Sequence, residues 1–491
     1  MNTTSYLLSR GTDHQTAVIE SEGVYTYADL RTASMAIARA LTAAAVQPQQ
    51  RIAIFGPNSF FWVAAYLAIM KLGAVAVPFS PTARPAQLDE MQKLATCTAV
   101  CLQTKHLNAA IRTVFHGCDL ITEAVLDASP ASTRDDPAEI ACANDDLAAL
   151  MFTSGTTARP RAVCVSHRNL QANTDSIIAA LGVEPDDRMM VVLPFHYCFG
   201  TSLLHTHLCV GATLVLASNS ALPEVLLNEI ESSSCTSLAG VPSLYQMLLR
   251  GSTFPKRRMP TLRKFQQAGG KLPPALIEEL ATLRPEAQIF IMYGQTEATA
   301  RLSYLPPQHL RAKLGSIGRG MPGVELRVVD ATGQDIHTGE VGQIIARGDN
   351  ITAGYLNDPE MTAITFADGA LHTGDMATVD EDGFIYIVDR QNDFIKPLGR
   401  RVSSHEIESC VLTLPEIVAA AAIGIPDPLL GEAIKVYVTI QAGAQLDAKA
   451  IIAHCRGTLP RYMIPKHVVI LDQMPMNAQG KVLKTTLRQM D

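Results

Sequence analysis

From Arg51 to Met292 the chain alternates short apolar runs with longer helix-patterned ones, and this alternation restricts the possible folds more than any other feature. The runs RIAIFG (51–56), LGAVAVP (72–78), MMVVLP (189–194), GATLVL (211–216), TSLAGV (236–241) and IFIM (289–292) have the length and composition of buried strands. Between the first two, Trp62, Tyr66 and Met70 recur at four-residue spacing, the apolar stripe of a helix, and all three read as core. Another helical run starts at Thr26 and extends to about Ala45. A parallel neighbour is reached only through a crossover, so strand, helix and strand in succession imply a mostly parallel sheet with helices on its faces. From Leu314 to Val388 the pattern changes to short, glycine-punctuated alternation such as ELRVV (325–329), which reads as an antiparallel β subdomain. After Arg390 the character is α+β. The expected class is therefore α/β, with a large N-terminal domain over residues 1–391 and a small C-terminal domain over residues 392–491.

The chain has 491 residues, 47% of them hydrophobic, enough for a large core. Its net charge of −7 argues against nucleic acid or an anionic membrane as the main partner. No run approaches the ~18 apolar residues of a membrane span, and no basic-then-apolar leader opens the chain, so a cytoplasmic location is expected. Ten cysteines occur without a CxxC pair. Cys97 and Cys101 flank an expected strand, and the set reads as reduced, mostly buried thiols rather than a zinc site. His205-x-His207 could offer two metal ligands on a strand face or could be structural. Gly318 to Gly323 matches GxGxxG, but a strand pattern follows it and Pro322 interrupts it, so a dinucleotide site is rejected.

The chemistry concentrates in MFTSGTTARPRAVCVSHRNL, residues 151–170. An apolar run enters at Phe152, and Ser166 to Asn169 has the pattern of a helix start. Thr153, Ser154, Gly155, Thr156 and Thr157 offer hydroxyls and approachable backbone N–H groups, suited to phosphate oxygens. Arg161 adds positive charge. This is not a Walker A loop, since no Gly-Lys-Ser/Thr closes it, and by itself such a loop could equally be a plain turn. Further motifs follow in order: LPFHYCFG (193–200), QAGG (267–270), YGQTE (293–297), GEVG (339–342), Arg347-Gly through Gly354-Tyr355, TGD (373–375), Asp389-Arg390 and NAQGK (477–481).

Together these motifs resemble the adenylate-forming superfamily of acyl-CoA synthetases, peptide-synthetase adenylation domains and luciferases, and the resemblance spans nearly the whole chain. It implies an ATP-dependent activation of a carboxylic acid to an acyl-adenylate with release of pyrophosphate, followed by acyl transfer to a thiol. It further implies that the 153–157 loop and Arg161 hold phosphates, and that Gly269 and Gly270 line the adenine site. Tyr293 and Gly294 would border adenine, Thr296 would touch phosphate, and Glu297 would hold Mg²⁺. Asp375 and Arg390 would bind ribose, and Lys481 would bridge the attacking carboxylate and the α-phosphate. The small domain would be mobile, turning about Asn392 to withdraw Lys481 and present residues 395–402, with Gly399 and Arg401, to the thiol channel. Departures from the family pattern are Ala158 and Ala162 in place of glycine and Arg161 in place of lysine. A planar guanidinium is not equivalent to an ammonium.

Amino-acid-activating relatives place an aspartate where this chain has His196, so a substrate ammonium would lack its partner and meet a possible cation. A small carboxylic acid without a free α-amino group is expected, in a pocket bordered by His196, Tyr197 and Phe199. No carrier-protein serine motif follows Lys481, so the acceptor is expected to be coenzyme A or the phosphopantetheine of a stand-alone acyl or peptidyl carrier protein. Two alternatives stand beside this: an adenylating amide synthetase that uses an amine, and a catalytically weak nucleotide-binding homologue.

Overall fold

A computed structural model describes residues 2–127, 136–153, 160–390, 394–400, 402–441, 443–477 and 481–490. Two large sheets carry the alternating half of the chain. In the six-stranded sheet, Asp119–Ile121, Ala99–Leu102, Arg51–Phe55, Val75–Phe79 and Leu147–Phe152 run parallel in that spatial order, and Ala162–Ser166 closes the edge antiparallel. The nine-stranded sheet has a parallel centre made of Gln288–Tyr293, Lys264–Gln267, Ser237–Gly240, Arg188–Val191, Thr213–Leu216 and Thr16–Glu20. Antiparallel strands flank that centre on both sides.

Local sequence explains where the helices start. Helix Tyr27–Ala43 opens on a capping box between Thr26 and Asp29, and helix His167–Leu181 opens on one between Ser166 and Asn169. Helix Phe60–Lys71 is apolar on every side and buried from Phe60 to Met70, as a helix enclosed by a core must be. Trp62, Tyr66 and Met70 belong to the apolar cluster that joins residues of both sheets.

The expected β subdomain is a four-stranded antiparallel sheet, Glu325–Val329, Gly342–Arg347, Leu371–Val379 and Ile385–Arg390. Beyond it lies an α+β unit whose sheet contains Ile417–Asp427, Gly431–Ile440 and His467–Ile470, packed with helices Ser404–Val411 and Ala448–Thr458. The expected hinge Asn392 and residue Arg401 lie outside the described residues. Gly318 serves the fold: a Cβ there would stand 1.7 Å from the Tyr304 carbonyl oxygen, and a strand follows in place of the helix that a dinucleotide fingerprint needs.

One expectation changes. His205 and His207 sit on helix Cys198–Val210, where residues two apart point in different directions, and not on a strand. Both are buried within the core. His205 Nε2 meets the Tyr66 hydroxyl at 3.0 Å, and His207 Nδ1 meets the Leu203 carbonyl at 2.8 Å. Among the described residues no cluster of three or more His, Cys, Asp and Glu could hold a metal, and all ten cysteines are free thiols.

Candidate active site

The hairpin that carries the expected phosphate loop is made by Leu147–Phe152 and Ala162–Ser166, and the Thr153 amide donates to the Arg161 carbonyl at 3.0 Å where the strands diverge. Ser154, Gly155, Thr156 and Thr157 lie outside the described residues, as does Ala158. Arg161 turns toward the 354–358 segment. Its Nε pairs with Asp358 at 3.2 Å and its guanidinium lies 5.9 Å from the centre of the Tyr355 ring. Backbone bonds from Leu356 to Ala162 and from Cys164 to Gly354 hold that segment against the hairpin. Tyr355 then donates its hydroxyl to Glu297 Oε1 at 2.8 Å. Loop charge, tyrosine and the expected metal carboxylate thus form one connected group. The sequence reading missed Tyr355 and Asp358 as its connectors.

Strand Gln288–Tyr293 delivers the YGQTE residues. Gly294 is required here: a Cβ would lie 1.9 Å from the Ala300 carbonyl oxygen, so the chain can double back only with glycine. The Tyr293 hydroxyl donates to Asp375 Oδ2 at 2.6 Å, joining this strand to the buried carboxylate on Leu371–Val379. Asp375 faces Arg390 in the register of strands Leu371–Val379 and Ile385–Arg390. Thr296, on a single 3-10 turn, points its hydroxyl at Cys198 Sγ, 3.5 Å away.

Lys481 comes from the far end of the chain into this group. Its amide donates to Asn477 Oδ1 at 2.9 Å, and its Nζ lies 5.6 Å from the centre of the Tyr197 ring. Gly269 lies beside it: its φ of +85° and a Cβ distance of 2.9 Å to Val241 call for glycine, while a Cβ would be in ordinary contact with Lys481 Cε at 3.6 Å. Gly270 follows in the same loop, its carbonyl accepting from Gln267 Nε2 at 2.8 Å. Burial raises the Tyr197 phenol, and the nearby Lys481 charge opposes that shift. His196 precedes Tyr197, and burial pushes its imidazole down to about 4. It is therefore neutral at physiological pH, which corrects the expectation of a possible cation at this position.

A second cation was not foreseen. Arg301 is 1% exposed and lies beneath helix Cys198–Val210, its guanidinium carbon 3.8 Å from the centre of the Phe199 ring. An arginine four residues past YGQTE gives no sequence signal of burial.

Comparison with known proteins adds to this geometry. A family model described as AMP-binding enzyme matches residues 9–356, and one described as AMP-binding enzyme C-terminal domain matches residues 406–481. A feruloyl-CoA synthase from Amycolatopsis sp. is 31% identical over 484 residues, covering 98% of this chain and 97% of its own. The o-succinylbenzoate CoA synthetase of Bacillus subtilis, solved with its acyl-adenylate intermediate, superposes with a TM-score of 0.87 at 26% identity, covering 99% of this chain and 98% of that one. An anthranilate CoA ligase solved with anthranoyl-AMP shares the fold, with a TM-score of 0.92 at 23% identity over 100% of this chain and 97% of its own.

Proposed function

This chain belongs to the AMP-binding enzyme family, and we propose that Lys481 and the residues gathered around it activate a carboxylic acid without an α-ammonium for transfer to coenzyme A. As an AMP-forming acid–thiol ligase it converts acid and ATP to acyl-adenylate and pyrophosphate, then passes the acyl group to a thiol. The observation that carries the residue assignment is the convergence of Lys481, from the C-terminal unit, with Gly269 and Tyr197 of the large one.

Two anions must meet in the first step, so positive charge and positioning dominate the problem. Lys481 would lie between the attacking carboxylate and the α-phosphorus. Thr153, Arg161 and Thr296, with the 154–157 loop, would steady the phosphates, and Gly269, Gly270, Tyr293 and Gly294 would border adenine. Asp375 and Arg390 would take the ribose hydroxyls. Glu297 fits Mg²⁺: Tyr355 holds one oxygen, and no basic side chain among the described residues neutralises the carboxylate. A single carboxylate shared with substrate phosphates is a common Mg²⁺ arrangement, and the ion would screen phosphate charge there.

The division at residues 391–392, with Asn392 as hinge, supplies the second step. Rotation would withdraw Lys481 and bring in the 395–402 loop, which Ile395 and Val402 close through two backbone bonds of 3.0 and 2.8 Å. Coenzyme A is favoured over a carrier protein and over an amine because the relatives are named as CoA ligases. Their named acids, feruloyl and o-succinylbenzoyl, also support an acid with an apolar or aromatic body. Neutral His196 leaves an ammonium without a counter-charge, so discrimination against amino acids rests on that missing carboxylate and not on repulsion. A coenzyme A acceptor and ten free thiols fit a cytoplasmic setting. No helix among the described residues is long and apolar enough to cross a membrane.

The test is product analysis with ATP, Mg²⁺, an acid panel and either coenzyme A, a pantetheinylated carrier protein or an amine. Acyl-CoA formed in step with AMP is expected. An amide as the sole product, with no thioester at high coenzyme A, would contradict the acceptor.

A further inference from the structure

Adenylation as laid out above gives Arg301 no task. Its backbone carbonyl accepts from Asn173 Nδ2 and Asn350 Nδ2, both at 3.0 Å, so the residue is pinned from behind. Its side chain lies over Phe199, and Nε reaches only the Met292 sulfur, 3.4 Å away. Nη2 is enclosed without a hydrogen-bond partner. The titratable groups acting on the guanidinium are the Cys198 thiol and the Tyr197 phenol, both kept neutral by burial, with no carboxylate among them. An aromatic face returns less than the hydration a guanidinium gives up, so this cation is buried at a cost the surrounding side chains do not offset.

Its location gives that cost a purpose. Tyr197 and Cys198 feel both Arg301 and Lys481, so the two cations border the same short stretch of chain. Phe199 continues that stretch directly under the guanidinium. A guanidinium presents parallel N–H groups that match a carboxylate in two-point contact.

We propose that Arg301 receives the second carboxylate of a short dicarboxylic acid whose other carboxylate reacts at Lys481. The inference rests on the reading of Lys481 given above. The distal carboxylate would supply the missing partner of Nη2 and leave the apolar body of the acid against Phe199 and Met292. Arg301 is then a specificity-determining residue, and it takes no part in bond making.

The experiment is acid-dependent ATP–pyrophosphate exchange with the full chain, using short aliphatic and aromatic dicarboxylic acids, each paired with its monomethyl ester. In the wild type, the best diacid should exceed its own monoester by about 10²-fold or more in kcat/KM, as expected where a buried polar group loses its partner. Arg301→Met should abolish that preference, chiefly through KM for the diacid, while monoester turnover holds or improves. Arg301→Lys should restore part of the preference. Equal use of diacid and monoester by the wild type overturns the proposal, and that comparison stands even if a variant fails to fold. So does an Arg301→Met that lowers both substrates equally. Exchange with monoacids alone overturns this inference and leaves adenylation standing, whereas no exchange with any acid overturns both.

Discussion

Three buried histidines, His167, His205 and His207, and the half-buried His196 make the residue scale testable through stability. Burial pushes His167, His196 and His207 down to about 4 and His205 to about 3. Unfolded histidine titrates near 6.5, and each tenfold difference in proton affinity between the two states corresponds to about 1.4 kcal/mol. Between those values the unfolded chain binds more protons, so stability rises with pH. The contribution is fully present above about 6.5 and is lost as pH falls toward the folded values. Urea midpoints should therefore drop steadily from pH 7 to 5, and a flat midpoint across that window would contradict the assignment of neutral core histidines. Single residues also show what sequence could tell. Tyr293, Gly294, Thr296, Glu297 and Lys481 stood out because their neighbours form a pattern. Arg301 did not, since the same letter describes a solvated surface charge and a buried one, and only the position of Phe199 distinguishes them.

At the scale of elements, the segment carrying Lys481 is tied down by a part-buried polar network. Helix Lys484–Arg488 begins three residues later, and Lys484 Nζ reaches Glu408 at 2.8 Å and Ser404 Oγ at 2.7 Å. Ser404 in turn donates through its amide and hydroxyl to Asp389, at 2.8 and 3.0 Å, which ties helix Ser404–Val411 to strand Ile385–Arg390. Burial alone would raise the Glu408 carboxyl, but Lys484 and His405 together override it and hold it at about 2. Removing one partner of a fully buried pair costs about 3–5 kcal/mol, and the side chains of this pair are 18% and 13% exposed. His405 remains beside Glu408, so Lys484→Met should fall toward the lower end. Melting should show a less stable C-terminal unit, and adenylation should lose kcat with little change in KM for the acid. An unchanged kcat would show that this network does not position Lys481. Elements were legible in sequence where periodicity was clean, as in the buried strands and helix Phe60–Lys71. Helix Cys198–Val210 was not, because its core face carries histidines and hydroxyls that read as polar positions.

For the whole molecule, the fold matters because it brings together residues remote in sequence. The hairpin at residues 147–166, the turn after Tyr293, the β subdomain at Asp375 and the distal Lys481 each contribute from a different sheet or unit. This convergence could not be read from periodicity, which gives each element but not its neighbours. The order of motifs supplied it through family resemblance. If Lys481 makes the adenylation step possible, acid-dependent ATP–pyrophosphate exchange by the wild type and Lys481→Ala side by side will show it. Exchange is expected in the wild type, with a loss of about 10²–10³-fold in the variant, the usual effect of removing one preorganised donor at a transition state. Exchange by Lys481→Ala at the parent rate would contradict that role.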